Sequence, residues 1–498
     1  MKRIACYFLF AVLAISGFSQ KRVLTYDCEF RKGVHHDESF KAYFLPGATD
    51  TSFLLVLKDM LKVDYIMMNN KFKVIGKISG DVDNSVMDRQ NAEYVGGTNE
   101  GNRFSLIFRT SSKYEIETID FDSKSVDRKE LFRQGRGEKL IASFSDYNRF
   151  LTLFANDEQN EVIVYSLDNR RVIKKASIPV TIPATASRKR DKLSQYLGGA
   201  NAITHAEQPE LSSAVTTCKV FSRPDRIDFV VNDNENPTHI LTMSVPGFKL
   251  KEQFVSFNTT TGESKTESYV SSYQDEDKLF SVILDKKTIR VSVHDLLSAK
   301  LLNVYEIKDD ESFNRLATDA MYTRRYGMFV SEKPVESFSK VLRAFSKGTE
   351  GVMVNKGKSG MIELTVGTYD VLQNAGHGGH VRDDSGFKTQ TEFQNGRYQP
   401  VTKYVVKQVY CPGHGSTLAP HTRYFTSTTF KMVIDPKTLK VTNKKPSTSV
   451  NEQIKNYISD SELTAKASTQ FSFGGKEYYG YYEKESRSYM IDEIKIVK

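Results

Sequence analysis

The sequence predicts an all-β protein built from a repeated unit of about four short strands. Three observations carry that expectation. Runs of five to eight residues rich in Val, Ile, Phe and Tyr recur along the chain, as in FSLIFRT at 104–110 and FLTLFAND at 150–157. Polar turns divide these runs, and the second run of each pair ends on an apolar residue followed by Asp or Asn. Two landmarks repeat at the same offset: Phe104 to Phe150 and Asp122 to Asp168 are each 46 residues apart.

An Asp or Asn at the end of a strand closes a tight turn by accepting a hydrogen bond from the backbone two residues on. In the first unit FSLIFRT leads to IETIDFDSKSV, with Asp122 as the turn residue; in the second FLTLFAND leads to VIVYSLDNRRV, with Asp168. Phe104 and Phe150 are then equivalent core positions, as are Ile119 and Tyr165. RIDFVVND with FVSFNTTTGE around Asn258, and KLFSVILDKK with IRVSVHDLLSAK around Asp295, follow less closely. TFKMVIDPKTLKV repeats only the turn element, at Asp435. A unit of about 45 residues holding about four strands has the size of one β-propeller blade. On these repeats the chain resembles the β-propeller superfamily over roughly residues 40 to 310. No Trp-Asp or kelch-type diglycine signature marks a named subfamily.

The resemblance implies about six or seven four-stranded blades in a single domain over 20–498, with a few short helices and long insertions near 176–212 and 371–425. An outer-membrane barrel fits less well, because Trp is absent and aromatic girdles are expected there. A row of β-sandwiches calls for linkers, and no Pro/Ser-rich linker separates the early units. PVESFSKVLRAFSK at 334–347 begins on Pro and places Phe338, Val341, Leu342 and Phe345 on one helical face. Residues 451–466 form a second short helix carrying Ile454 and Ile458. The closing SYMIDEIKIV is a strand, and RVLTYDCEF at 22–30 is its natural partner, because pairing the two ends removes an exposed sheet edge.

MKRIACYFLFAVLAISGFSQ opens with Lys2 and Arg3, continues through an apolar run from Ile4 to Ile15, and reaches the small residues Gly17 and Ser19. That order is a signal peptide over 1–19, cut before Gln20. The apolar run is too short for a transmembrane anchor, and Cys6 precedes it, where no lipid attachment is expected. The expected location is secreted or periplasmic, by bacterial-type export. The formal charge of +9 drops to +7 without Lys2 and Arg3, and the basic clusters SRKRDK (187–192) and NKKP (443–446) are short. A nucleic-acid partner is therefore not expected. Three cysteines follow the leader, Cys28, Cys218 and Cys411, so at most one internal disulfide forms and the fold must stand on its core.

Little in the chain looks like chemistry. EGVMVNKGKSG at 350–360 resembles a phosphate loop, but Gly351 is one position out of register and the strand MIELTVGTY follows where a helix is needed. DVDNSVMD at 81–88 spaces Asp81, Asp83 and Ser85 like a calcium loop, but lacks the turn glycine and the closing glutamate. Tyr478, Tyr479, Tyr481 and Tyr482 crowd EYYGYYE; adjacent strand residues face opposite ways, so one pair is core and an exposed pair is a candidate for stacking on a sugar or peptide. NAGHGGHVRDD at 374–384 and CPGHG at 411–415 supply His377, His380, Cys411 and His414, with His421 beyond, all of types zinc accepts. TKYVVKQVY (402–410) and TRYFTSTTF (422–430) read as the two strands of a hairpin with CPGHG at its tip. The first histidine pair lies in a separate glycine-rich loop, and no metal site is favoured; zinc or calcium is the ion such residues would take.

No serine elbow and no HExxH motif is present. Catalytic residues are therefore not assigned. The expected role is an exported, non-catalytic binding or scaffold protein using loops on one propeller face to meet a protein or glycan partner at the cell envelope. The alternative is a secreted hydrolase or lyase with a polar site in the propeller mouth; a metal-assisted version would use the His/Cys loops. Converging carboxylates or histidines would mark the enzyme, and exposed apolar or aromatic residues on the rim would mark the scaffold.

Overall fold

The computed structural model describes residues 21–28, 40–47, 51–59, 62–81, 92–146, 148–168, 173–183, 191–204, 210–232, 237–245, 247–257, 269–285, 287–318, 320–326, 329–356, 360–371, 386–394, 397–405, 425–446, 453–454, 457 and 466–494. The fold is all-β and β-propeller-like, with seven sheets of four or five strands among the described residues. β1 (Lys21–Asp27) comes first. The first sheet is β2 (Lys41–Pro46), β3 (Ser52–Lys58), β4 (Lys62–Asn69) and β5 (Val74–Asp81). The second is β6 (Ala92–Glu100), β7 (Arg103–Thr110), β8 (Lys113–Asp120) and β9 (Ser125–Arg133). The third is β10 (Glu138–Asp146), β11 (Arg149–Asn156), β12 (Glu161–Leu167) and β13 (Ile173–Pro179).

The fourth sheet starts with α1 (Leu193–Tyr196), β14 (Asn201–Ile203) and α2 (Leu211–Ala214), and continues through β15 (Cys218–Ser222), β16 (Arg226–Val231), β17 (Thr238–Ser244) and β18 (Leu250–Val255). The fifth is β19 (Tyr269–Asp275), β20 (Lys278–Asp285), β21 (Thr288–Asp295) and β22 (Leu301–Ile307), followed by α3 (Asp310–Leu316). Then come β23 (Ala320–Tyr326), β24 (Phe329–Val335), α4 (Phe338–Phe345), β25 (Thr349–Lys356), β26 (Ile362–Val371), β27 (Gly386–Gln394), β28 (Arg397–Val405) and β29 (Phe425–Ile434). The sixth sheet runs β24-β23-β29-β26-β25, and β27 and β28 pair separately. β30 (Lys466–Phe473), β31 (Lys476–Glu483) and β32 (Ser488–Ile494) join β1 in the order β1-β32-β31-β30.

Two compact units are formed, one from Met1–Leu131 with Thr448–Lys498 and the other mainly from Phe132–Cys411 with Pro420–Ser447. In the first unit, Phe44, Phe53, Phe471, Phe473 and Tyr489 make an aromatic core between the last sheet and the first, and Leu54, Tyr65, Phe104 and Ile119 fill the space between the first sheet and the second. In the second unit one core lies between the third and fourth sheets, and a larger one takes in the fifth and sixth with α4. Inner strands are buried on both faces, so β3 reads FLLVL without polar alternation. Outer strands such as β5 and β9 are largely exposed and carry lysine or arginine.

The repeat holds with one correction. Phe104 and Phe150 are both fully buried near the starts of second strands. Phe104 pairs with Ile119, but Phe150 pairs with Leu167, not Tyr165. The β7–β8 turn has its last pair at Thr110 and Lys113, whereas Asn156 and Glu161 bound the longer β11–β12 turn, so the third strands are offset by two. Asp168, just after Leu167, therefore corresponds to Asp120, just after Ile119, and not to Asp122. Asp120 closes the turn: its Oδ1 accepts from the backbone N–H of Asp122 at 3.0 Å and of Ser123 at 3.2 Å. Asp295 accepts from Ser298 at 2.8 Å, and Asp435 from Lys437 and Thr438 at 2.9 Å each, as the motif required. Asn258 lies outside the described residues.

The chain ends pair as expected, with Leu24 opposite Ile491 and Tyr26 opposite Tyr489. Arg22 bonds Asp492 through Nε at 3.0 Å and the Tyr481 hydroxyl at 2.6 Å, and Tyr457 donates to the same carboxylate at 2.5 Å. α4 buries Phe338, Val341 and Phe345, with Leu342 half-buried against the same core. Ile454 is buried on a helical turn; Ile458 is outside the described residues.

Two expected insertions differ from the reading. Residues 176–179 complete β13, and Leu193, Tyr196, Leu197 and Ala202 enter the core, so much of 176–212 is structural. Within 371–425, β28 pairs with β27, while β29 pairs with β26 and β23. The described parts of the expected hairpin, 402–405 and 425–430, do not pair with each other: 402–405 pair with β27, and β29 has a ten-residue register with β26, from Ile362–Ile434 to Val371–Phe425. Residues 1–19, on which the expected leader falls, lie outside the described residues, and no described helix is long and apolar enough to cross a membrane.

Truncating Phe150 to Ala should cost about 3–5 kcal/mol, as for other fully buried phenylalanines. Urea denaturation of the variant checks this, and a change below about 0.5 kcal/mol would remove Phe150 from the core.

Candidate functional site

The tyrosine cluster on β31 lies in the core. Tyr478, Tyr479, Tyr481 and Tyr482 are all buried. Tyr482 stacks on Phe40 at 4.5 Å and Tyr478 lies 4.8 Å from Phe72. On the other face Tyr479 and Tyr481 pack with Ile454, Tyr457 and Met490. Gly480 is needed between them, because a Cβ there would meet the Tyr489 ring at 2.5–3.0 Å. Burial pushes the Tyr478 and Tyr479 hydroxyls up to about 12. Both faces of this sheet are covered, so the four tyrosines are packed side chains and neither pair is exposed.

His377, His380, Cys411, His414 and His421 lie outside the described residues, as do Asp83, Ser85 and the Gly357–Lys358–Ser359 triplet. β25 and β26 flank that triplet, so a strand follows it. Among the described residues no three His, Cys, Asp or Glu side chains gather as a metal site. Cys28 and Cys218 are both buried and not joined by a disulfide, and burial raises the Cys28 thiol to about 12.

Three buried ionisable groups in the second unit escaped the sequence reading, since burial is not visible in composition. Lys219 on β15 has no exposed surface. Its ammonium donates to the Thr216 carbonyl at 2.8 Å and the Ser271 hydroxyl at 3.5 Å, and Ser271 donates on to the Ala214 carbonyl at 3.1 Å. Burial pulls Lys219 down to about 7. His239 on β17 shares a 2.9 Å hydrogen bond with the Tyr196 hydroxyl through Nδ1, stacks on Phe254 at 4.3 Å, and has Nε2 3.4 Å from the Glu252 carboxylate. Burial lowers it to about 4, so the ring is neutral at pH 7. Glu350 on β25 is raised to about 7 by burial. An amine, an imidazole and a carboxyl of this kind serve acid–base chemistry when they converge on a reacting atom. Here they stand on three separate strands, and no hydrogen bond or ion pair joins one to another.

The other buried polar groups link sheet to sheet. Asn232 donates to Thr238 and Ser272, and Ser272 bonds Ser281, tying the fourth sheet to the fifth. Arg226 bridges Asp228 and Asp277, while Gln274 reaches Asp228 at 2.6 Å. Arg149 donates to the carbonyls of Arg223 and Pro224. In the first unit Glu117 accepts from both Tyr65 and Arg128.

The outer edge of the fifth sheet is of another kind. Leu301, Leu302 and Val304 of β22 are exposed, and so is Leu297 in the turn before it. Asn303 and Tyr305 are fastened on the other side, both donating to the Leu439 carbonyl at 2.6 Å. The other outer strands carry cations: Lys21 and Arg22 on β1, Lys77 on β5, Arg128 and Lys129 on β9, Lys174 and Lys175 on β13, Lys251 on β18, Lys333 on β24. β22, LLNVYEI, has none, and its single charge, Glu306, is 3.4 Å from Arg290 of the adjacent strand. An apolar edge strand without a lysine is a site for pairing with another strand. The sequence signal is the Leu-Leu-x-Val run itself.

Comparison with known protein families finds no match, and neither does comparison with curated proteins. Among solved structures, the dihydro-heme d1 dehydrogenase NirN in complex with DHE is 11% identical with a TM-score of 0.32, over 96% of this chain and 76% of that one. A post-proline cleaving enzyme from Rickettsia typhi is 9% identical with a TM-score of 0.30, over 66% and 49%. Prolyl oligopeptidase B from Galerina marginata is 11% identical with a TM-score of 0.28, over 65% and 38%. Likeness at this level says nothing of activity.

The lysine gives a pH prediction. Between about pH 7 and the ordinary lysine value near 10.5 the unfolded chain holds a proton that folded Lys219 releases, so this group makes stability rise with pH across that window. Lys219→Met removes the cost. The variant should be more stable than the parent at pH 7 by a few kcal/mol at most, at roughly 1.4 kcal/mol per unit, with the gap closing toward pH 10.5. Paired denaturation curves at pH 7 and 10 measure it; an unchanged gap would mean that Lys219 keeps its proton when folded.

Proposed function

We propose that this is an exported, non-catalytic binding or scaffold protein, and that it meets its partner through the outer rim of the fifth sheet. The observation that carries the reading is the apolar edge formed by Leu297, Leu301, Leu302 and Val304, in a molecule whose other outer strands bear lysine or arginine. Exposed apolar residues on a rim favour a docking surface over a catalytic mouth. The buried ionisable groups support the same reading, since Lys219 and His239 are engaged by internal partners and sealed from solvent. Export rests on the leader Met1–Ser19, and a protein partner at the cell envelope follows from it.

Mature protein recovered from the exported fraction should begin at Gln20 on N-terminal sequencing; intact Met1 in a membrane fraction overturns the export reading. The wild-type chain should capture a partner from that fraction, and Val304→Lys should weaken capture roughly ten-fold or more, since one buried Val contributes about 1.5–3 kcal/mol. Equal capture by both chains would move the binding surface away from β22.

A further inference from the structure

We infer that one face of the sixth sheet is a second binding site, separate from the rim of the fifth, and that it holds a short peptide by both of its charged ends. The peptide's ammonium would lie over β25 and β26, and its carboxylate over β23 and β24.

The ladder registers set two rows of side chains on this face. Glu350, Thr368, Thr428, Tyr322 and Lys333 stand opposite one another in turn across β25, β26, β29, β23 and β24. Asp370, Thr426 and Arg324 make the adjacent row on β26, β29 and β23. Directly opposite residues of an antiparallel ladder share a face, so both rows project to one side. The row before them, Val352, Val366 and Phe430, is packed in the core. The face thus turns from apolar to polar in one step. It does so beside the end of α4, where Gly348 lies too close to Thr368 to leave room for a Cβ. Glu350, Thr368 and Thr428 are buried, while Tyr322, Arg324, Lys333 and Asp370 are exposed.

The charges in these rows are sorted. Glu350 and Asp370 stand on one side, Arg324 and Lys333 on the other, and the threonine hydroxyls lie between them. Among the described residues no side chain pairs with or hydrogen-bonds any of the four. Glu350 is only 7% exposed, takes a hydrogen bond from its own backbone N–H and has no cation against it, so burial raises it to about 7. An ammonium is the partner it lacks. That group has three donors to place, and the Thr368 and Thr428 hydroxyls beside Glu350 offer further acceptors. A simple cation or anion would meet one side of the face and be repelled by the other, whereas a zwitterion meets both. The spacing sets its length. β26 and β23 are two strand spacings apart, about 9.5 Å, and an extended peptide of three residues spans about 10 Å. A free amino acid is too short to reach across.

Trialanine is the probe, titrated into the full chain by calorimetry at neutral pH. The wild type should bind it. N-acetyl-trialanine and trialanine amide should each bind about ten-fold more weakly or worse, since each loses one charge-assisted contact. Glu350→Gln should bind trialanine and its N-acetyl form alike, because the ammonium has lost its partner. Arg324→Gln combined with Lys333→Gln should bind trialanine and its amide alike. Both cations are exposed, so that double variant carries the test even where Glu350→Gln does not fold. A wild type whose Kd for trialanine is weaker than about 10 mM overturns the site. So does equal binding of the free and the end-blocked peptides, which would mean that neither terminus is read.

Discussion

Burial of both faces of the inner strands is the constraint on which the rest of this structure depends. An inner strand here has no solvent side, so β3 and β20 become nearly continuous apolar runs. Polar groups that enter the same layers need partners, and several find one in a neighbouring sheet, because an unpaired buried donor or acceptor costs about 1–3 kcal/mol. That requirement places Asn232 against Ser272, Asp228 against Gln274, and Glu117 against Tyr65. These bonds do more than neutralise cost. Directional contacts fix the register of one sheet against the next, which apolar packing alone specifies loosely.

The same constraint explains what was legible in the sequence. Runs of β-branched and aromatic residues, and the Asp that ends a third strand, are local signals, and they located β7, β8, β11, β12, β20 and β21. Phe104 and Phe150 were matched correctly because each is read from its own strand. Tyr165 was matched wrongly because the pairing depends on a turn length that the side chains do not announce. The 402–410 and 422–430 strands were paired with each other because they are close in sequence. β29 instead takes a partner more than fifty residues upstream, and the order of the sixth sheet shows the extent of it, with β23 and β24 outermost although they precede β25.

The candidate site was less legible for a related reason. Tyr478, Tyr479, Tyr481 and Tyr482 stood out by composition, yet their fate depended on what covers each face of the last sheet. Lys219 looked like any surface lysine in CKVFS, and only the placement of Thr216 and Ser271 around it shows that it is interior. β22 was noticed least because its residues are common ones. Its distinction is relative, a lack of lysine where the other outer strands have it.

The pairing of β1 with β32 has a consequence in time. Arg22 and Asp492 are 470 positions apart, so the sheet they share has almost the longest loop the chain can close. The sheets from β2 to β22 take their strands from neighbouring sequence and can assemble as the chain emerges. The last sheet cannot, because three of its strands are made at the very end. A chain still on the ribosome therefore carries Phe44 and Phe53 with one flank uncovered until β30 arrives. That interval, rather than the finished protein, is when the chain is most exposed to proteases and to aggregation, and a chaperone that holds the first fifty residues would act at the point of greatest need.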